Sequence, residues 1–238
     1  MSKLIVTTSW DDGSKLDLKL AELLERHGIK GTFYIPRTYL DNPLEKNEIG
    51  MLDKGHEVGS HTLSHADLTK IALPKADVEI RSSKSYLEDL LGHEIVMFAY
   101  PKGRYNKDIK EVVKDCGFIV GRTCKHGSFN LPEDPYEWQI TLHASNGSPL
   151  TSLRIWWRSG LSANSLLDWE RRAKLLFDSA LEKGGVYHLW GHSWNLERKN
   201  DWDKLERVLA YLCHRDGVRY MTNGEIFRSQ HRQEESSE

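Results

Sequence analysis

Residues 4–17 read LIVTTSWDDGSKLD, an apolar run that stops at two adjacent acids, Asp11 and Asp12, followed at once by Gly13. Short, nearly continuous apolar runs bounded by turns are typical of strands that are buried on both faces of a parallel sheet. Two neighbouring carboxylates at the end of such a strand repel each other and resist burial. Their position therefore needs a chemical explanation.

The same alternation of strand and helix continues along the chain. Six times a helix-like stretch ends at a glycine, which can take the left-handed conformation that ends helices, and a β-rich run follows. The six glycines are Gly28, Gly55, Gly92, Gly117, Gly184 and Gly217. Alternating strands and helices predict an α/β fold with a parallel sheet, either closed as a barrel or open and doubly wound. A count of about seven strands favours the barrel.

The composition limits the class of protein. The chain has 238 residues, of which 39% are hydrophobic, so a single domain with a proper core is expected. We place this domain at residues 1–227 and expect a polar, disordered tail at residues 228–238. The formal charge of -2 leaves no basic surplus, which argues against nucleic acid or an anionic membrane as a partner.

Cysteine use and the start of the chain bear on the compartment. The three cysteines are an odd number without CxxC spacing, which fits a reducing environment. The first residues, MSKLIVTTSW, lack a signal-peptide pattern, and no apolar run approaches the roughly 18 residues of a membrane span. We therefore expect a cytoplasmic protein without a membrane span, and the sequence does not indicate its oligomeric state.

One segment interrupts the regular alternation of strand and helix. Residues 122–164 are long and irregular for a connection inside a compact domain, and they carry Trp138, Trp156 and Trp157. Loops of this length are usually functional or disordered, and the tryptophans argue against disorder. We expect a wall or lid over the site, the alternative being an extra hairpin packed against the barrel.

Ionisable residues follow several predicted strands, at the barrel face where parallel barrels carry their active sites. His61 and His65 are four residues apart after one strand, so on a helical turn both imidazoles could bind one cation. An aspartate from the strand-end pair would complete a set that zinc accepts. The alternatives are that the histidines cap a helix or pack in the core, and that the aspartates cap the following helix.

A cation would explain the acid pair. A divalent ion would neutralise the carboxylate that faces it, while the neighbouring carboxylate stays free to accept a proton from water. The two adjacent acids would then have different tasks.

These residues resemble a known family. TTSWDDG at 7–13, SHTLSH at 60–65 and a late strand that ends in histidine are similar to the motifs of polysaccharide deacetylases. These form carbohydrate esterase family four, which shares the nodulation-factor deacetylase homology domain. The resemblance spans roughly Leu4 to Asn223. It implies a distorted (β/α)7-8 barrel of parallel strands in a single domain, and an enzyme that hydrolyses the N-acetyl amide of an amino-sugar unit and releases acetate.

Carried over position by position, the resemblance implies that Asp11 is the general base. It implies that Asp12, His61 and His65 bind a divalent metal, zinc in the first place, with cobalt, nickel or manganese as alternatives. The substrate would be an N-acetylated oligo- or polysaccharide of the chitin or peptidoglycan type.

The general acid of the family is a histidine at the end of a late apolar strand. HLWGHSW offers His188 and His192, and we favour His192 because it follows the strand, whereas His188 lies in mid-strand, where a core role is more common. Asp134 and Glu137, near the family's fourth motif, are candidates for orienting this histidine.

The third motif departs from the family pattern. The stretch FAYPKGRYN has Ala99 where the family has an arginine that orients the catalytic base. Lys102 or Arg104 could supply the missing positive charge. The backbone N–H of Lys102, after Pro101, corresponds to the family's donor to the oxyanion, a role that needs no particular side chain.

Five residues are candidates for contact with substrate. Trp190 and Trp194 lie near the end of the late strand, where an aromatic face could stack on a sugar ring, although core packing is the more common fate of tryptophan. His143 could line the groove or lie elsewhere on the surface. Tyr100 and Pro101 of the third motif are expected beside the substrate.

Two further functions remain open at this stage. The apparent lack of an export signal suggests a small non-sugar amide as an alternative substrate on the same fold. The missing arginine suggests a carbohydrate-binding homologue without turnover, although an undamaged set of metal ligands argues against it.

Overall fold

The computed structural model describes residues 4–127, 129–146 and 168–235. The strands in these ranges are β1 (Leu4–Asp11), β2 (Gly31–Ile35), β3 (Glu57–Ser60), β4 (Met97–Ala99), β5 (Val120–His126), β6 (Trp138–Ile140), β7 (Leu142–His143), β8 (Gly185–Gly191) and β9 (Val218–Tyr220). The α-helices are α1 (Asp17–Arg26), α2 (Lys46–Gly55), α3 (Leu73–Leu91), α4 (Lys107–Asp115), α5 (Trp169–Lys183), α6 (Ser193–Lys199), α7 (Trp202–Leu212) and α8 (Asn223–Glu235). Short 3₁₀ turns lie at Leu68–Lys70, Pro101–Gly103 and Pro135–Glu137.

The strands form one parallel sheet in the order β6-β5-β4-β3-β2-β1-β8-β7, and β9 pairs with the beginning of β1. The segment at residues 138–143 holds both ends of this order together. Trp138 and Ile140 pair with β5, and Leu142 and His143 pair with β8. The result is a nearly closed barrel of eight parallel strands, which confirms the predicted barrel in a single domain.

The irregular segment at residues 122–164 is therefore, in its first part, barrel rather than lid. Residues 122–143 contribute most of β5 and all of β6 and β7, because the chain must cross from β5 to β8 to close the sheet. Residues 147–164 of the expected lid, including Trp156 and Trp157, lie outside the described residues.

A polar network fills the barrel interior below the site. The amide of Asn223, at the start of α8, donates to Ser9 Oγ at 2.7 Å and to the Tyr34 hydroxyl at 2.9 Å. Ser9 Oγ is also 2.5 Å from Nε2 of His188, whose Nδ1 lies 3.2 Å from the Gln139 carbonyl oxygen. Both His188 nitrogens thus have partners, as expected for a core residue.

The last helix runs to Glu235, past the boundary expected at residue 227. That domain boundary stays a prediction. Of the helices in the described ranges, none has the length and apolar character needed to cross a bilayer.

All strands of the barrel are parallel, so their carboxyl ends meet at one rim. Asp11 is the last residue of β1, Ser60 the last of β3 and Gly191 the last of β8. This rim therefore collects the acids, the paired histidines and His192.

Candidate active site

Asp11 and Asp12 lie where the chain leaves β1, and both are almost fully buried, at 2% and 3% exposure. Asp12 has a φ of 84°, in the left-handed region that residues other than glycine rarely adopt. Its backbone N–H donates to the Tyr34 carbonyl at 3.1 Å, which holds the strained turn against β2. Such strain is typical of functional sites, where the surrounding structure imposes it.

The carboxylate of Asp11 is held at both oxygens. Oδ1 forms an ion pair with Arg122, and Oδ2 accepts a 2.8 Å hydrogen bond from Trp190 Nε1. Burial by itself raises the pKa of Asp11, but the Arg122 charge, with further contributions from His61 and His192, outweighs it and lowers that pKa to about 2. Asp11 is therefore ionised at neutral pH in spite of its burial.

Arg122 provides the positive charge that the third motif lacks. It lies on β5 directly opposite Ala99 of β4, the residue that stands where the family has an arginine. The arginine of this chain therefore comes from the neighbouring strand. The guanidinium is fully buried and lies over the rings of Tyr34 and Trp190, at 5.0 and 5.3 Å from their centroids. A buried arginine is rare without a partner, and here the partner is the candidate base.

The expectation that Lys102 or Arg104 supplies this charge is wrong. Arg104 donates to Asp67 at 2.5 Å, and the Lys102 side chain is exposed. The physical reason is the register of the sheet, which brings residue 122 of the neighbouring strand next to Ala99. The signal in the sequence was an arginine inside the otherwise apolar run FIVGRTC at residues 118–124.

Asp12, His61 and His65 converge as the spacing predicted. Asp12 Oδ1 lies 3.8 Å from His61 Nε2 and 3.4 Å from His65 Nε2, and one ligand atom from each residue lies within 4.8 Å of the other two. Oδ2 of Asp12 accepts from Trp194 Nε1 at 2.9 Å. Oδ1 is buried without a hydrogen-bond partner among the described residues, as a carboxylate oxygen reserved for a cation would be.

The histidines reach this position by a different backbone from the expected one. Residues 61–65 form no helical turn, and both Thr62 and His65 have positive φ, 66° and 55°. The prediction of a helical face was wrong, and the convergence arises from a tight irregular turn after β3.

The protonation of the three residues suits a divalent cation. His61 Nδ1 donates to the Ala99 carbonyl at 2.7 Å, which leaves the Nε2 lone pair facing Asp12. Burial lowers the pKa of His61 and of His65 to about 4, so both imidazoles are neutral ligands at pH 7. Burial, reinforced by the negative charge of Asp11, raises the pKa of Asp12 to about 7, so this pocket favours added positive charge. The residues fit a zinc-type site.

Tyr39 is a residue of the site that sequence reasoning missed. It lies in the connection after β2, and its ring stacks on the His65 imidazole with centroids 4.0 Å apart. It is 47% exposed, so it forms part of the surface next to the cation site. No periodicity or motif in the sequence marks it.

His192 lies on the other side of Asp12, with Nε2 3.8 Å from Oδ2. Its ring packs among those of Trp190, Trp194 and His143, with centroids 5.1, 5.2 and 5.6 Å away. Burial lowers the pKa of His192 to about 4. The histidine is thus placed by aromatic packing.

The acids expected to orient His192 do not do so. Asp134 and Glu137 both accept hydrogen bonds from Lys110, at 2.6 and 2.8 Å, on the outer side of β5 and α4. The 3₁₀ turn Pro135–Glu137 directs them to the helix rather than to the rim.

The remaining candidates take different positions. Trp190 and Trp194 each tether one of the two acids through the indole N–H, in addition to any contact with substrate. Tyr100 is fully buried and stacks on Tyr105, so the expectation of substrate contact is wrong for it. His143 is half-buried, with Nδ1 2.8 Å from Ser145 Oγ.

The turn of the third motif carries the backbone N–H of Lys102, and its role as the oxyanion donor stays a prediction. Pro101 is buried, and Lys102 has a φ of 58° inside the Pro101–Gly103 turn. The turn's own hydrogen bonds use the N–H groups of Gly103 and Arg104, which donate to Tyr100 and Pro101 carbonyls.

Comparison with known proteins agrees with this site. The family model for polysaccharide deacetylases matches residues 1–121, which contain the acid pair and both paired histidines. The chain therefore belongs to the polysaccharide deacetylase family, and the resemblance inferred from its motifs is confirmed.

Individual relatives are distant. The peptidoglycan-N-acetylglucosamine deacetylase PgdA of Listeria monocytogenes is 30% identical over 112 residues, which are 45% of this chain and 23% of that protein. A putative polysaccharide deacetylase of Bacillus subtilis, YxkH, is 24% identical over 62% of this chain and 53% of its own length. The chain thus spans about a quarter to a half of these curated relatives.

A solved structure supports the fold over nearly the whole chain. A putative polysaccharide deacetylase from Mycobacterium smegmatis superposes with a TM-score of 0.68 at 17% identity, covering 98% of this chain and 92% of that one.

Replacing Arg122 with methionine removes the counter-ion of a buried carboxylate. We expect the free energy of unfolding near neutral pH to fall by about 3–5 kcal/mol. In the wild type, the pKa of Asp11 lies below its ordinary value, so the ion pair stabilises the fold above about pH 4 and loses this effect as the pH falls toward 2. The difference between variant and wild type should therefore shrink below about pH 4, measured by urea unfolding at several pH values.

Arg207→Met is the matched control, because Arg207 pairs with Glu170 at the surface and its side chain is 53% exposed. We expect a clearly smaller loss of stability for it. Equal losses in the two variants, or a loss for Arg122→Met that acidification leaves unchanged, would contradict the assigned ion pair.

Replacing His61 with alanine removes one of the two imidazoles of the cation site. We expect the Zn²⁺ affinity measured by titration calorimetry to fall by about a hundredfold or more. Zn²⁺ at about 100 times its Kd should stabilise the wild type by about 2.7 kcal/mol and the variant far less. His93→Ala, which removes an exposed histidine paired with Asp53, is the control and should bind Zn²⁺ like the wild type. Unchanged affinity in His61→Ala would refute the site.

Proposed function

We propose that this chain hydrolyses the N-acetyl amide of an amino-sugar unit in an oligo- or polysaccharide, with a divalent cation held by Asp12, His61 and His65. The observation that carries the proposal is the division of roles within the acid pair. Asp11 is kept ionised by a buried arginine, while Asp12 faces two neutral imidazoles with an unpartnered oxygen. Membership of the polysaccharide deacetylase family supports the reaction class.

A bound divalent cation would polarise the amide carbonyl and make water more acidic. Asp11 accepts the proton of the attacking water, since its carboxylate is ionised and is fixed by Arg122 and Trp190. The backbone N–H of Lys102 donates to the oxygen on which negative charge develops.

The C–N bond then breaks, and His192, which burial keeps neutral in the resting site, passes to the leaving amine the proton that Asp11 took from water. His192 suits this task because it lies at the same rim as Asp11, beside Asp12 and among aromatic rings. The products are acetate and a free amine, so the water proton ends on the nitrogen.

A carbohydrate-binding homologue without turnover is the weaker alternative. It was suggested by the missing arginine at Ala99, and Arg122 fills that role from the next strand. The substrate test below also detects hydrolysis of a small non-sugar amide.

Asp11→Asn tests the proposal with the metal site left in place. We expect the wild type to release acetate from N-acetylglucosamine oligomers or peptidoglycan-type oligomers, and to stop when a chelator removes the metal. The kcat of the variant should be about 10²–10⁴-fold lower than that of the wild type, because the general base is missing. Its Zn²⁺ affinity should stay close to that of the wild type. Asp216→Asn, at an exposed position, is the control.

Three outcomes would count against the proposal. Acetate release that survives Asp11→Asn would remove the assigned base. Turnover of linear or cyclic small amides without any on amino sugars would replace the substrate class. Saccharide binding without turnover under any divalent metal would leave a binding protein.

A further inference from the structure

A second concave region lies beside the candidate active site. It is an open groove of about 590 Å³ lined by Thr69, Gly103, Arg104, Tyr105, Asn106 and Lys125. This volume lies within the roughly 300–1,000 Å³ of small-molecule sites. None of these residues has a task in the proposed hydrolysis.

The groove adjoins the catalytic rim through two of its lining residues, Gly103 and Arg104. Gly103 ends the turn that carries the Lys102 N–H, and a Cβ at Gly103 would come within 2.7 Å of Cys124 on β5. Arg104 pairs with Asp67, two residues after the cation ligand His65. A substrate chain that places its acetamide at the rim can therefore extend into this groove.

The groove carries positive charge. Lys125 and Arg104 stand on its walls with side chains 56% and 52% exposed. Lys102 lies next to it, is exposed, and forms no ion pair among the described residues.

Of the two basic side chains on the groove walls, Arg104 is already neutralised by Asp67, whereas Lys125 has a carboxylate only at 4.0 Å among the described residues. Both oxygens of Asp67 are engaged, one by Thr69 Oγ1 and the other by Arg104. Glu137 reaches Lys125 only at 4.0 Å, since it is bound more closely by Lys110. Lys125 itself donates to the hydroxyl of Tyr105, another residue that lines the groove.

We propose that this groove binds a carboxylate on the sugar unit next to the one that is deacetylated, so that the substrate is an acidic N-acetylated saccharide. The inference rests on the proposed function. A neutral chitin-type chain would leave Lys125 with Glu137, 4.0 Å away, as its carboxylate neighbour, whereas a carboxylate on the substrate would pair with Lys125 and share Arg104 with Asp67. The carboxylate could belong to a hexuronate or to a lactyl ether, and both present the same anion.

The test compares three oligomers of equal length. One contains only N-acetylglucosamine, one alternates it with glucuronate, and one alternates it with N-acetylmuramic acid. We expect the wild type to show a lower KM for at least one acidic oligomer than for the neutral one. Raising the ionic strength to about 0.5 M should remove much of this preference, because the groups are partly exposed.

Lys125→Gln should raise KM for the acidic oligomer about three- to fivefold and leave kcat unchanged. The double variant Arg104→Gln/Lys125→Gln should raise the same KM about tenfold or more. The neutral oligomer should be unaffected by Lys125→Gln. Lys75→Gln removes an exposed charge that does not line the groove and serves as the control. The Kd of the acidic oligomer, measured by calorimetry, gives the same comparison without turnover. It is measured for the Asp11→Asn variant and for the same variant that also carries Lys125→Gln.

The failures are distinguishable. Absence of acetate release from all three oligomers would overturn the proposed function. Acetate release with equal KM for acidic and neutral oligomers, or with no response to Lys125→Gln, would overturn only the carboxylate site.

Discussion

The buried ion pair between Arg122 and Asp11 is the constraint on which the rest of the site depends. Two adjacent carboxylates at the end of a buried strand can serve as base and as cation ligand only if each charge is stabilised by a different partner. Arg122 forms an ion pair with Asp11 and keeps it ionised. Asp12 faces the two neutral imidazoles of His61 and His65 and can bind a cation together with them. Without the arginine, burial would favour protonation of both acids, and neither a base nor a cation site would result.

Barrel closure and site assembly are parts of one arrangement. The segment at residues 138–143 joins β5, which carries Arg122, to β8, which leads to His192. The two tryptophans of the β8 end then tether the acids of β1, Trp190 to Asp11 and Trp194 to Asp12. Each acid is thus fixed by an indole from the neighbouring strand β8 or from the helix that follows it, which limits the rotation of groups whose roles require different orientations.

Much of this could be predicted from local sequence. The strand-end acids and the pair of histidines define the site because their chemistry is carried within single segments. Helix ends were also readable, since Gly92 and Gly184 follow their helices with φ of 76° and 77°. Arg122 could not be assigned, because its role depends on which strand lies beside Ala99, a property of sheet order. The turn at residues 61–65 was also missed, as a four-residue spacing does not distinguish a helix from a tight turn.

A crystal structure of the zinc-loaded protein, with anomalous data at the zinc edge, tests the central claim most directly. The account predicts one strong peak at the rim within about 2.0–2.2 Å of an Asp12 oxygen and of one nitrogen each from His61 and His65. In the same map, Asp11 should still be paired with Arg122 and lie outside the ligand set. A peak elsewhere, or a metal bound by Asp11 with Arg122 released, would contradict the division of roles between the two acids.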